Sequence, residues 1–135
     1  MGWKRINLRD EQTNNSKPGR RWELSPILEI DAFNLNVAIL NPDERLSENH
    51  YHYHENQKEL IHVVEGKCQV EVEDDQLVIT TDDVIMFETG SKGTHLVHNP
   101  FSDPAKVIAI GWPPEGRYPV EKVAKKSEIL GKSNE

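Results

Sequence analysis

The sequence predicts an all-β domain of the sandwich or barrel type, and three observations support this. From Trp22 onward, short runs of strand-forming residues recur at fairly regular intervals, with turn residues between them. In the run 67–73, Cys68, Val70 and Val72 alternate with polar residues, as in a strand with one buried face. Helical periodicity is weak, and no segment predicts a helix long enough to cover a sheet. A single domain is therefore expected in a chain of 135 residues.

Nine strands are predicted in chain order. They span residues 27–30, 35–40, 50–54, 59–64, 67–73, 76–80, 84–87, 94–99 and 105–112. Turn-favouring pairs separate several of them, among them Glu65-Gly66 and Asp103-Pro104. In the segments 84–87 and 106–110, the residues directed to both faces of the strand are apolar. This predicts central strands or strands covered by a partner.

The two ends of the chain differ from this middle part. Residues 1–20 are polar and rich in Asn, Ser, Lys and Arg, so we expect an arm that cannot order itself unaided. Trp3 could pin this arm to a groove or to a neighbouring subunit. Residues 120–135 are expected to form a charged tail, of which at most the first part is a short helix. The domain itself is expected to comprise residues 21–119.

Composition excludes several classes of partner. The net charge of −7 argues against nucleic acid, which needs clustered Lys and Arg against its phosphates. No run approaches the roughly 18 apolar residues that cross a bilayer, so no membrane partner is expected.

The N-terminus lacks the apolar core of a signal peptide, and the lone Cys68 cannot form an internal disulfide, which together favour the cytoplasm. Cys68 is expected to be a small core residue.

All six histidines lie between residues 50 and 98. Strand geometry places His50, His52 and His54 on one face, where two imidazoles one residue apart can reach the same ion. Glu59 opens the next predicted strand, and antiparallel pairing of the two strands would bring its carboxylate beside the histidines. Burying imidazoles and a carboxylate together without an ion is costly, which favours a metal site.

Two motifs resemble those of the cupin superfamily. The first is His-x-His, four residues, Glu, six residues and Gly, and it begins at His52 and ends at Gly66. The second runs over residues 82–99 and contains an apolar strand, Gly90, Gly93, His95 and Asn99, with Asp82 where Gly is usual. The resemblance covers residues 33–112 of a small single-domain cupin.

The resemblance implies a cupin double-stranded β-helix, or jelly-roll barrel, here with the polar N-terminal arm and short C-terminal tail. It also implies one divalent transition-metal ion near one mouth of the barrel, bound by His52, His54, Glu59 and His95. Imidazole and carboxylate ligands suit Fe, Mn, Ni, Co or Zn. An octahedral ion with four protein ligands would keep open positions, whereas a tetrahedral Zn would be filled.

Other candidates have plainer interpretations. His50 is expected to line the mouth or to contact solvent, and the strand positions of His62 and His98 should direct their side chains away from the ion. Asn99 shares the parity of His95, so its amide is either a structural hydrogen-bonding group or a group that faces a ligand. Four further residues lie in loops or at strand ends, on the surface or at a pocket rim: Arg45, Trp112, Arg117 and Tyr118.

Cupins include enzymes and binding proteins, so the fold does not settle the function. The first hypothesis is a metal-dependent enzyme, such as a dioxygenase or an isomerase. Its small-molecule ligand would be an oxygenated substrate, an organic acid or a sugar derivative, that chelates the ion. The second is a non-catalytic cupin that binds a small molecule, and the third is a structural cupin whose ion stabilises the barrel.

A homodimer is also expected. Four apolar residues share one parity on a pair of strands that we expect to be central, and their surface must be covered: Ile85, Phe87, Ile108 and Ile110. A facing barrel or the N-terminal arm would cover it.

Overall fold

The computed structural model describes residues 2–14, 19–47, 51–73 and 75–123. Within these ranges lie ten strands and a short helix, α1 (Leu24–Leu28). The strands are β1 (Arg20–Glu23), β2 (Asn34–Leu40), β3 (His52–His54), β4 (Lys58–Glu65), β5 (Lys67–Val72), β6 (Asp75–Thr80), β7 (Val84–Phe87), β8 (His95–His98), β9 (Ala105–Trp112) and β10 (Val120–Lys122). Three 3-10 helices connect them, at Leu8–Asp10, Ser91–Gly93 and Pro114–Arg117.

The strands form two five-stranded antiparallel sheets, which confirms the all-β jelly-roll prediction. The first sheet has the order β1-β2-β9-β4-β7, and the second has the order β10-β3-β8-β5-β6. Strands β3 and β4 follow one another in sequence but lie in different sheets. In the part of the chain that the structure describes, no helix has the length and apolar character to span a membrane.

Three predictions about individual elements are wrong. Residues 27–30 are not a strand, because α1 ends at Leu28 and Glu29 turns the chain with a left-handed φ of 57°. The hydroxyl of Ser25 donates to the Phe33 carbonyl and accepts from the Leu35 amide, which fixes this turn onto the start of β2. The first part of the tail is strand β10, which pairs with β3, and not a helix. Strand β7 lies at a sheet edge, so its central placement is wrong, and its coverage by a partner stays a prediction.

The space between the sheets holds the apolar core. Its fully buried side chains include Leu40, Ile61, Val63 and Val107, contributed by β2, β4 and β9. Cys68 is also fully buried there, as expected, and burial raises the pKa of its thiol to about 11.

A second apolar cluster lies on the outer face of the first sheet. Ile6 and Leu8 of the N-terminal segment pack against Trp22 and Val37, and Ile108 belongs to the same cluster. Trp3 does not pin the segment, because 68% of its surface is exposed. The apolar pair Ile6 and Leu8 makes this attachment instead.

The four residues on which the homodimer expectation rested do not share a face. Ile85 and Phe87 belong to the core between the sheets, whereas Ile108 packs in the outer cluster. The outward residues of β7 are Val84 and Met86. Alternation within each strand does not show which residues of β7 and β9 share a face. Strand β4 lies between these two strands, and the registers of β7 and β9 against β4 decide which residues align.

The backbone conformation of two turns explains which residues occupy their motif positions. Gly66 has a φ of 90°, and a Cβ at this position would lie 2.8 Å from the carbonyl oxygen of Pro104. Only glycine fits such a close approach. Asp82, where the related motif usually has Gly, also has a left-handed φ of 75°. Asp tolerates this conformation better than most residues, so the turn is retained.

The buried amide of Asn99 joins the end of β2 to the loop between β8 and β9. Its Nδ2 donates to the carbonyl oxygens of Leu40 and Asp103, both at 2.8 Å, and its Oδ1 accepts from the Phe101 amide at 3.0 Å. The side chain is fully buried and all of these partners are backbone groups. Of the two interpretations of Asn99, these contacts favour the structural one.

We expect Asn99→Ala to lower the free energy of unfolding by about 2 to 3 kcal/mol, because it leaves buried carbonyl and amide groups without partners. The control is Asn41→Ala at an exposed position, where the change should stay within about 0.5 kcal/mol. Urea unfolding of both variants measures the difference. Equal effects at the two positions would contradict the structural role of Asn99.

Candidate metal centre

The candidate metal ligands come from both sheets. His52 and His54 lie on β3 of the second sheet, and His95 on neighbouring β8 is the register partner of His52. Glu59 lies on β4 of the first sheet, where its register partners are Phe87 and Gly111. Strands β3 and β4 therefore do not pair, contrary to the expectation from the sequence. The carboxylate reaches the histidines across the barrel interior.

The side chains converge closely enough to share one ion. Single ligand atoms of His52, His54 and Glu59 all lie within 4.8 Å of one another. Glu59 contacts Nε2 of His54 through Oε1, and its Oε2 lies 3.6 Å from Nε2 of His95. The rings of His52 and His95 have centroids 4.7 Å apart. The group of His52, His54 and Glu59 suits a divalent first-row metal ion, and His95 lies beside its carboxylate.

Backbone carbonyls orient two of the imidazoles. Nδ1 of His54 lies 2.7 Å from the carbonyl oxygen of Arg117, and Nδ1 of His95 lies 2.7 Å from that of Gly93. Because a carbonyl oxygen only accepts, each Nδ1 must carry the hydrogen and donate it. Each neutral ring then has its lone pair on Nε2, the atom that faces Glu59. This is the arrangement in which metal-binding histidines are usually held.

The electrostatics favour a charged pair in the absence of an ion. Burial alone would raise the pKa of Glu59, but hydrogen bonds and charge from His54 and His95 outweigh it and hold that pKa far below its usual value. Burial opposes the charged form of His54 as well, yet the contact with Glu59 outweighs it and raises the pKa of His54 above 6.5. The Arg117 guanidinium opposes this rise in part.

Three neighbours of the candidate ligands complete the site. The ring of Phe87 stacks on His95 with centroids 3.7 Å apart and an interplanar angle of 6°. Gln57 is buried, and its Nε2 donates to the Pro113 carbonyl. A Cβ on Gly111 would lie 2.8 Å from the Gln57 amide, so glycine leaves the room that Gln57 occupies. The sequence carried no signal for this pairing, because it joins residues far apart in the chain.

A cavity of about 390 Å³ opens beside the candidate ligands, and His52, His54, Glu59 and His95 form part of its wall. This volume suits a small organic molecule. Polar side chains contribute much of the remaining lining: Arg21, Asn34, Asn36, Gln57, Arg117 and Tyr118. Arg117 and Tyr118 were predicted to lie either on the surface or at a pocket rim, and both line this cavity.

The remaining candidates lie elsewhere. Asn99, His62, His98 and Arg45 are not among the described residues that line this cavity. Arg45 and His98 instead form an isolated β-bridge with each other. His50 falls outside the residues that the structure describes.

The two sheets form a jelly-roll barrel, and its interior cavity has histidines and a glutamate in its wall that form a candidate metal site. The family model described as "Cupin domain" matches residues 36–111, which is more than half of the chain. The chain belongs to the cupin family. A comparison with curated proteins finds none that matches the sequence.

Solved structures with the same fold include three proteins of described activity. The polyketide cyclase RemF from Streptomyces resistomycificus aligns with a TM-score of 0.75 at 18% identity, over 98% of this chain and 94% of its own. A sugar phosphate isomerase from Silicibacter pomeroyi aligns with a TM-score of 0.70 at 22% identity, over 80% and 74%. A putative sugar phosphate isomerase from Acidithiobacillus ferrooxidans has a TM-score of 0.68 at 19% identity, over 77% and 69%. At these identities the likeness shows the fold alone.

We expect metal binding at weakly acidic pH to release a proton, because the raised pKa of His54 favours its protonated imidazole there in the metal-free protein. The apparent metal affinity should therefore fall as the pH decreases and rise as the pH increases. Calorimetric titration of metal-free protein with Ni²⁺ in buffers of different ionisation enthalpy counts the released protons. His62→Gln serves as the control and should release the same number, whereas release independent of pH would contradict the assignment to His54.

Proposed function

We propose that this protein is a metal-dependent enzyme that acts on a small oxygenated substrate, an organic acid or a sugar derivative. His52, His54, Glu59 and His95 would hold one divalent ion, of Fe, Mn, Ni, Co or Zn. The observation that carries the proposal is the position of these side chains in the wall of a 390 Å³ cavity, where a small molecule can contact the ion.

Some residues of the site would hold the ion, and others would contact the substrate. When bound, the ion would act as a Lewis acid on a substrate oxygen. Asn34, Asn36 and Gln57 offer amide groups that can hydrogen-bond substrate hydroxyl or carbonyl groups in the cavity. Phe87 packs flat on His95 and would limit rotation of that ligand. The core packed beneath excludes water from one side of the site.

The described activities of similar structures support this class of substrate. Two are described as sugar phosphate isomerases and one as a polyketide cyclase, and all three descriptions involve oxygen-rich small molecules. A purely structural ion is less well supported, because such an ion needs no adjoining cavity.

Tag-free protein should contain close to one equivalent of a single first-row ion, measured by plasma mass spectrometry. His52→Ala, prepared in parallel, should lose most of it because one of the converging ligands is gone. His62→Ala is the matched control and should keep the wild-type content, since His62 does not line the cavity. The proposal fails if neither wild type nor control holds metal and added ions leave the melting temperature unchanged.

We also propose that the protein is a homodimer that pairs through the outer face of β4 and β7. The N-terminal segment covers only the part of this sheet around Trp22 and Val37. Val84 and Met86 on β7 remain 56% and 45% exposed, and Val64 on β4 is exposed beside them. A second copy would bury this apolar surface.

Light scattering after size-exclusion chromatography should give about twice the chain mass of 15.5 kDa. Val84→Glu should shift the protein to monomer, because it places a charge in the proposed interface. Val78→Glu is the control, since Val78 is also 56% exposed but lies on β6 of the other sheet. A wild-type monomer, or equal effects of the two variants, would contradict this interface.

A further inference from the structure

Gln57 is a buried polar side chain in the wall of the cavity beside the candidate metal centre. Only 5% of the residue is exposed, and it lies two residues before Glu59, which lines the same cavity. A carboxamide has one acceptor oxygen and two N–H donors, and each is costly to bury without a partner. The hydrogen bonds that Gln57 makes and lacks therefore indicate what the cavity binds.

One hydrogen bond fixes which way round the Gln57 amide lies. Its nitrogen is 3.1 Å from the carbonyl oxygen of Pro113. Because a carbonyl oxygen only accepts, the nitrogen must face Pro113, and Oε1 is directed away from it. None of the residues that the structure describes donates a hydrogen bond to Oε1. Oε1 is not fully enclosed either, so a molecule in the cavity can reach this acceptor.

Gly111 places this amide beside the candidate metal ligands. The amide carbon, oxygen and nitrogen lie 2.8 to 3.0 Å from the position that a Cβ on Gly111 would take. Gly111 is the register partner of Glu59 on one side and of Asn34 on the other. Neighbouring strands are roughly 4.8 Å apart, so the Gln57 amide lies over the gap between these two side chains. A small molecule in contact with the ion would therefore lie beside Oε1 of Gln57.

Two further carboxamides line the same cavity. Asn34 and Asn36 are two residues apart on β2, so their side chains share one face of the strand. Neither side chain forms a hydrogen bond to any other residue in the described part of the chain. A hydroxyl group both donates and accepts, as a carboxamide does, so the two kinds of group complement each other.

We propose that Gln57 determines specificity by accepting a hydrogen bond from a hydroxyl group of the ligand. The inference rests on the proposed function in one respect, that this cavity is the substrate site. A ligand that excludes water from Oε1 without supplying a donor leaves a buried acceptor unsatisfied, which weakens binding. A carbonyl or carboxylate oxygen at this position has no hydrogen to donate, whereas a hydroxyl group has one. The substrate class narrows accordingly to hydroxy acids and sugar derivatives with a free hydroxyl group.

Pairs of compounds that differ by one hydroxyl group test this inference. Malate is compared with succinate, and ribose with 2-deoxyribose, in titrations of the full chain followed by ¹H–¹⁵N NMR. In the pair that binds, the hydroxylated compound should bind about tenfold more tightly, which is the worth of one well-placed hydrogen bond. It should also shift the side-chain amide signals of Gln57 more than its partner compound does.

Gln57→Met keeps the length of the side chain but removes its acceptor, so the two compounds of a pair should then bind within about twofold of each other. Gln76→Met is the matched control, because Gln76 is exposed on β6 and is not among the described residues that line the cavity. This control should keep the wild-type preference. If Gln57→Met loses its cooperative thermal transition, the shifts of the Gln57 amide signals in the wild type decide alone.

A bound ion can itself favour a hydroxyl ligand, so the titrations are made on Ni²⁺-loaded and chelator-treated protein in parallel. A preference that depends on Gln57 in either form supports the inference. Equal affinities within both pairs, a preference that Gln57→Met retains, or binding of none of the four compounds would overturn it.

Metal content of the untreated protein separates this inference from the proposed function. Protein that holds a metal but shows no preference dependent on Gln57 overturns the inference and leaves the metal-dependent function standing. Protein that neither holds nor takes up a metal, but whose preference depends on Gln57, supports the inference and overturns the metal-dependent function.

Discussion

Glu59 extends from the first sheet across the barrel interior and contacts His54 and His95 of the second sheet. This contact joins the two sheets at the end of the barrel where the cavity lies. The Glu59 side chain is only 17% exposed, so its carboxylate needs positive charge beside it, which the imidazoles supply here and a bound cation could supply more fully. The apolar core, which includes Ile61 two residues along β4, fixes the strand that carries Glu59.

The same contact links the acid–base behaviour of the site to its ligand chemistry. Carbonyl oxygens of Arg117 and Gly93 hold two Nδ1 hydrogens, so the Nε2 atoms of both rings are directed at Glu59. A proton and a metal ion therefore compete for one set of atoms. Arg117 takes part twice, because its backbone carbonyl accepts from His54 and its side chain lines the adjoining cavity.

The fold and most of the candidate site could be predicted because their signals are local. Alternation along β5 reports a half-buried strand, and the spacing of His52, His54, Glu59 and Gly66 reports a motif. The two strands that the sequence did not predict, β1 and β10, depend on pairing with other strands. Strand β1 pairs with β2, and β10 pairs with β3, which lies 66 to 70 residues earlier in the chain. A short polar segment shows no alternation of its own, so only pairing makes it a strand.

The sequence by itself determined that the chain is a cupin and which four side chains are candidates for one ion. Residue type and spacing suffice for that, because ligand chemistry and strand period are properties of the chain itself. The tertiary structure decided that Glu59 reaches its histidines between sheets and that Val84 and Met86, rather than Ile85 and Phe87, face outward. It also brought Arg21 and Arg117 to one cavity. These outcomes depend on register and on which strands share a sheet, and both are settled by packing between segments far apart in sequence.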